Sequence, residues 1–220
     1  MPFPDPHPTS ARLRAARFYG ILDAAYLAPA QFAPACRALL AGGADIVQVR
    51  AKGVDKDSYR RLLESVLPQF ENNDIPLIVN DHLDVALEYP RCGLHIGQDD
   101  TPVVSARAAL GPNRIVGLST HSEKQAADAL EMAGLLSYFC VGPVFATRTK
   151  PDYTPVGLQL VKAVTNLNAE KLPLFCIGGI NRANAVEVKA AGATRIVVVS
   201  DVLHALDPEK AVRQLRATFA

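Results

Sequence analysis

The stretch Asp45-Ile46-Val47-Gln48-Val49-Arg50-Ala51-Lys52 decides the fold, because a β-branched apolar run ends in charge. In an extended strand alternate side chains share a face, so Gln48, Arg50 and Lys52 point one way and Val49 and Ala51 the other. Seven further runs share its character: FYGIL (18–22), PLIVN (76–80), CGLHIG (92–97), RIVGLS (114–119), YFCVG (138–142), PLFCIGG (173–179) and RIVVVS (195–200). Between most of them lie segments with apolar residues at three- and four-residue spacing. Tyr59, Leu62, Leu63, Val66 and Leu67 form one such set, and Ala126, Ala129, Leu130 and Ala133 another. A helix is also expected over 181–191, with Asn181 as N-cap and Gly192 at its C′ position. Strands alternating with helices imply parallel pairing, since each crossover must return across the sheet. Eight such units predict an α/β fold, a closed (β/α)8 TIM barrel in a single domain over residues 18–220. A doubly wound open sheet is the alternative.

Composition bounds the function. The 220 residues are enough for one barrel, near the lower end of its size range. Residues 1–10 hold four prolines and little to bury, and residues 1–17 are read as a flexible N-terminal arm. Apolar residues make up 49%, enough for a substantial core. The 23 basic and 22 acidic residues leave a formal charge of +1, so no global basic field argues for nucleic acid. Any anion must be held by a few placed side chains. The N-terminus lacks a charged segment followed by an apolar one, and no apolar run approaches the ~20 residues that span a bilayer. A soluble cytoplasmic protein without a membrane partner is expected. Cys36, Cys92, Cys140 and Cys176 are far apart, without CxxC or metal-type spacing, and read as buried reduced thiols.

The suggestive polar residues fall at strand ends: Gln48–Lys52, Asn80–Asp81, Gln98–Asp100, Ser119–His121, Thr147–Lys150, Gly178–Gly179 and Ser200. In a (β/α)8 barrel all the C-terminal strand ends meet at one rim, where active sites lie. Arg50 offers a bidentate fork and Lys52 a point charge, which together build an anion site; a solvated strand end is the other reading. Asp81 and Asp100 bring hard oxygen ligands beside that Arg and point to Mg2+ bridging a diphosphate. Each also precedes a helical stretch, so N-capping is the competing role. Thr147, Thr149 and Lys150 lie on a long connection that suits a second phosphate or a lid. Gly178, Gly179, Val199 and Ser200 follow strands seven and eight, where this fold recurrently holds phosphate. The inventory is thus two anionic ligands on one rim, with no Ser–His–acid set. It fits departure of diphosphate and capture by a second substrate.

The ordered motifs QVRAK, PLIVND, GLHIGQDD, GLSTH, GPVFATRTK, CIGGI and VVVSDV resemble the thiamine phosphate synthase family, also called thiamine-phosphate pyrophosphorylase, from about residue 18 to the C-terminus. The resemblance implies a transferase that joins a pyrimidine diphosphate to a thiazole phosphate with Mg2+ as cofactor. It implies that Gln48, Arg50, Lys52 and Asn80 hold the pyrimidine diphosphate, and that Asp81 and Asp100 bind Mg2+, Asp99 being the less favoured acid. Ser119 and Lys150 match further contacts on the diphosphate side. Thr147 and Thr149 match the segment that meets the thiazole phosphate, and Gly179, Val199 and Ser200 its phosphate group. Arg50, Lys52, Ser119 and Lys150 are the residues expected to act in catalysis. A homo-oligomer is left open.

Two departures from the family pattern stand out. The usual QLREK reads QVRAK here, with Ala51 in place of Glu, on the strand face away from Arg50. The first strand reads GILDAAYL, where Asp23 is a loose match for the Asp of the family's Thr-Asp. The same residues leave three rival readings. A thiazole tautomerase of the same family would need a proton carrier, for which His121 is the candidate. A non-catalytic phosphate-ligand sensor is invited only by Ala51. A tryptophan-pathway barrel would need Glu at a strand end, and none of these ends carries one.

Overall fold

The computed structural model describes residues 8–147, 154–169 and 171–220. Eight strands close into a barrel in chain order: β1 (Phe18–Asp23), β2 (Ile46–Arg50), β3 (Leu77–Asn80), β4 (Cys92–Ile96), β5 (Val116–Thr120), β6 (Tyr138–Val141), β7 (Leu174–Ile177) and β8 (Ile196–Val198). All neighbours are parallel, and β1 meets β8 with Phe18 opposite Ile196. That last pairing removes both sheet edges and excludes the open doubly wound arrangement.

The α-helices of the described residues are α1 (Pro8–Ala15), α2 (Phe32–Ala41), α3 (Lys56–Val66), α4 (Leu83–Glu88), α5 (Val103–Leu110), α6 (Glu123–Glu131), α7 (Gly157–Asn168), α8 (Ala185–Ala190), α9 (Ser200–Leu203) and α10 (Pro208–Thr218). The apolar spacing of α3 buries Tyr59, Leu62, Leu63 and Val66, and Asp55 caps it by accepting from Ser58 N at 2.8 Å. Ser122 caps α6 in the same way through Gln125 N at 3.2 Å. The helix expected over 181–191 is regular only over Ala185–Ala190. Asn181 Oδ1 accepts from Ala183 N at 2.8 Å and Asn184 N at 3.2 Å, so Asn181 caps a turn that leads into α8. Asn side chains compete with the helical ladder for backbone donors, which explains the late start. Gly192, at φ 99°, follows the helix end as expected.

Period-two alternation splits the core into two clusters. Leu22, Val47, Val49, Ala51, Val79, Leu94 and Val141 face the helices. Tyr19, Ile21, Ile46, Ile78, Tyr138, Cys140, Phe175 and Val197 fill the barrel interior. Leu13 and Ala16 join this interior cluster, each 1% exposed. The described part of the segment expected as an arm is therefore helix α1 and its anchor. Three prolines precede α1 and a fourth, Pro8, opens it, and the apolar pair Leu13 and Ala16 is too short to register as a periodic pattern. All four cysteines are buried, and no disulfide joins any two of them. No helix among the described residues is long and apolar enough to cross a membrane.

Candidate active site

The interior face of the strands turns from apolar to polar at its C-terminal end. Asp23, Gln48, Arg50, Asn80 and His95 are all buried there, on five positions of β1 to β4. β2 presents Gln48 and Arg50 inward and buries Ala51 among the helices, as the alternation of its sequence requires. Tyr59 of α3 ties the rim from outside: its hydroxyl donates to Val49 O at 2.6 Å and accepts from Asn80 N at 2.9 Å.

Two adjoining hollows open on this rim. One spans about 840 Å³, open solvent at its mouth included, and is lined by Tyr19, Gln48, Thr147, Gly178, Gly179, Val199 and Ser200, among others. The other, of about 450 Å³, is lined by Lys52, Asp81, Gln98, Asp99 and Asp100, among others. Arg50, Asn80, His95, Ser119 and His121 form a wall common to both. Lys52, Asp81 and Asp100 thus line one hollow and Thr147, Gly179, Val199 and Ser200 the other, while Gln48, expected at the diphosphate, lines the hollow of the second set. Thr149 and Lys150 lie outside the described residues.

The smaller hollow is acidic and basic at once. Lys52 Nζ is 3.4 Å from Asp81 Oδ2, and Asp100 Oδ2 accepts from Gly97 N at 2.6 Å. Burial, and next the charge of Asp100, hold the Asp81 carboxyl above the usual carboxylate range, while Lys52 pulls it down. Asp81 also has φ 64°, a left-handed backbone that a side chain other than Gly, Asn or Asp adopts at a cost. Neither acid caps the helix that follows: α4 and α5 begin without a side-chain cap. The capping role is therefore not taken. Among the described residues no three His, Cys, Asp or Glu side chains converge on one point. A pair of carboxylates beside a lysine is nonetheless a donor set that suits Mg2+, which completes its shell with water and other oxygen ligands.

The larger hollow ends in the β7 and β8 loops. Gly178 (φ 100°) and Gly179 (φ 65°) both have left-handed backbones. A methyl group on either would overlap Pro143 or Phe145, so the chain after β6 packs directly on this turn. Ser200 opens α9 beside them.

Three interior residues went unread in the sequence: Tyr19, His95 and Tyr138. Gln48 Nε2 donates to the Tyr19 hydroxyl at 2.7 Å, and the Tyr19 and Tyr138 hydroxyls are 2.9 Å apart. His95 Nδ1 is 3.0 Å from the Tyr138 hydroxyl, and its Nε2 is 2.9 Å from Ser119 Oγ. The available signal was the inward register of Tyr19, His95 and Tyr138 within apolar runs, where a polar tip must find a partner. His121 donates from Nδ1 to Gly142 O, because a carbonyl can only accept, and its ring borders both hollows.

The family model of thiamine monophosphate synthase matches residues 18–202. The chain belongs to this family. A thiamine-phosphate synthase of Arthrobacter sp. (strain FB24) is 41% identical, covering 96% of this chain and 92% of its own. One from Chloroflexus aurantiacus is also 41% identical, covering 91% of each chain. The solved structure of a thiamine phosphate pyrophosphorylase from Pyrococcus furiosus superposes with a TM-score of 0.76 at 30% identity, covering 95% of this chain and 97% of that one. The transferase assignment read from the sequence motifs agrees with this membership of the thiamine monophosphate synthase family.

Proposed function

We propose that this protein is a cytoplasmic enzyme that condenses 4-amino-2-methyl-5-(diphosphomethyl)pyrimidine with thiazole phosphate, giving thiamine phosphate and diphosphate. The observation that carries the reading is the partition itself. A carboxylate–lysine hollow and a glycine–serine hollow share the wall of Arg50, Asn80, His95, Ser119 and His121.

In the acidic hollow Arg50 and Lys52 hold the diphosphate oxygens, and Asp81 and Asp100 hold Mg2+. Bound there, Mg2+ supplies positive charge to a departing diphosphate. The bond between the methylene carbon and the diphosphate oxygen breaks, and its electron pair leaves with the diphosphate. The aminopyrimidine ring stabilises the methylene cation. The thiazole nitrogen then donates its lone pair to that carbon and forms the new C–N bond. No protein base takes part. Gly179, Val199 and Ser200 hold the thiazole phosphate at the far side of the partition, and Thr147, Thr149 and Lys150 complete the binding. The chain's contribution is position and fixed charge. The paired acids favour this reading over the tautomerase, whose chemistry has no use for a cation site opposite Lys52.

The test is release of diphosphate by the purified protein when both substrates and Mg2+ are supplied. Release that requires all three supports the reading. No release under those conditions overturns it.

A further inference from the structure

Gln48, Tyr19, Tyr138, His95 and Ser119 form an unbroken hydrogen-bonded chain through the barrel interior, with contacts of 2.7, 2.9, 3.0 and 2.9 Å. Its members come from β2, β1, β6, β4 and β5, so it crosses the barrel from one side to the other. Each phenol has one hydrogen, and so does a neutral imidazole. One orientation lets every group of the chain accept from one neighbour and donate to the next, and it starts from the Gln48 end. Gln48 donates its amide hydrogen to Tyr19. In that orientation the Tyr19 hydrogen goes to Tyr138, and the Tyr138 hydrogen to His95 Nδ1. That leaves the hydrogen of His95 on Nε2, from which it is donated to Ser119 Oγ. The hydroxyl hydrogen of Ser119 is then the one not used within the chain, and Ser119 borders both hollows.

We propose that Tyr19 and Tyr138 are positioning residues that lock His95 as its Nε2–H tautomer and make Ser119 a hydrogen-bond donor to the departing diphosphate. An ionised diphosphate accepts hydrogen bonds and cannot donate them. A serine free to rotate would have to reorganise as charge builds, whereas one held by an aligned chain does not. Hydrogen bonds pointing the same way also polarise one another, so the chain delivers more than one hydroxyl's worth of dipole to the anion without placing a charge in the core.

Two packing features hold the chain in register. Tyr138 stacks on His95 at 5.6 Å between ring centroids and meets Phe175 edge-on at 5.5 Å, and Tyr19 meets Phe175 at 5.7 Å. Gly117 leaves room for the Tyr138 ring, which a methyl group there would overlap. Burial also pushes both phenols well above their ordinary range, so each keeps its one hydrogen at physiological pH.

The proposal rests on the synthase reading for its ligand, and the test separates the two. Nitrogen-15 spectra of the histidine-labelled protein without substrate should show His95 protonated at Nε2 and bare at Nδ1. A His95 protonated at Nδ1 would mean a chain running the other way, with Ser119 as acceptor, and overturns the proposal. Tyr138→Phe keeps the ring packing and removes the link. It should abolish the single-tautomer signature of His95 and lower kcat for diphosphate release about tenfold, with KM for thiazole phosphate unchanged. An unchanged kcat in Tyr138→Phe also overturns the proposal. If the wild-type protein releases no diphosphate, the synthase reading fails alone. The chain is then judged by the His95 tautomer and by binding of inorganic pyrophosphate with Mg2+, which Tyr138→Phe should weaken.

Discussion

Arg50 Nη1 lies 2.5 Å from Asp23 Oδ2, and the two residues stand opposite each other in the β1–β2 register. Asp23 is 1% exposed and Arg50 8%, so the pair is buried. The second Asp23 oxygen accepts from Ala25 N at 2.9 Å, which fixes the carboxylate from behind. Asp23 thus holds the guanidinium that the proposed diphosphate site needs.

Removing one partner of a buried pair leaves the other charge uncompensated, at a cost of about 3–5 kcal/mol. Arg50 borders both hollows, so water can reach part of it and the loss should fall near the lower bound. Asp23→Ala is expected to lose about 3 kcal/mol in urea unfolding and to raise KM for the pyrimidine diphosphate. Equal stability and equal KM would show that Asp23 does not hold Arg50.

Asp81 is the place where function and stability should oppose each other. Its carboxyl is held above the usual range by burial and by Asp100, so the folded protein binds that proton more tightly than the unfolded chain. The stability this group contributes is therefore present at low pH and lost as pH rises through its raised value. At neutral pH an ionised Asp81 beside Asp100 works against folding, and Lys52 offsets this only in part. Asp81→Asn removes one charge, and Asn tolerates the left-handed backbone at φ 64°. The variant should unfold at a higher Tm than wild type without Mg2+, and Mg2+ should no longer raise its Tm or support turnover. Retained Mg2+-dependent turnover in Asp81→Asn, or in Asp100→Asn, would remove the metal from these acids.

The interior of β5 sets a steric limit. A methyl group on Gly117 would overlap the phenol of Tyr138, which is fully buried and backed by Phe175. Overpacking of this kind costs about 1–3 kcal/mol. Gly117→Ala should lower the urea midpoint by a matching amount, and the companion Gly117→Ala/Tyr138→Leu variant should recover part of it. Equal stability in Gly117→Ala would show that the barrel yields there without strain.

What the sequence made legible was local. The strand alternation of QVRAK placed Gln48 and Arg50 inward and Ala51 against the helices, because period-two geometry needs no knowledge of distant residues. The rim followed from the count of strands, since closure brings every C-terminal end to one side. What remained hidden depends on closure across the barrel. The contact between Tyr19 and Tyr138 joins residues 119 positions apart, and His95 meets Tyr138 across 43. Neither distance leaves a mark in the neighbouring residues. The same holds for Leu13, whose burial depends on the barrel interior it enters.

The cysteines give a prediction that reports on the core as a whole. Burial pushes the thiols of Cys36 and Cys176 up to about 12 and that of Cys92 up to about 11, from an ordinary 9.0. The thiolate is the reactive form, so at pH 8 these three should resist alkylation in the native protein and react in urea. Cys140 alone borders the larger hollow, so any slow native labelling should fall on it and be slowed by substrate. The same shifts set the alkaline limit of the fold. A group whose folded value is raised stabilises the fold fully below its unfolded value and ceases to do so as pH rises through the folded one. Stability should therefore begin to fall above about pH 9 and keep falling toward pH 12, as the unfolded chain sheds thiol protons that the folded chain retains. Cys36→Ala with Cys176→Ala should flatten that decline in urea midpoints measured from pH 8 to 11, whatever their cost at pH 7. A decline of the same slope in the double variant would place the alkaline limit on other groups.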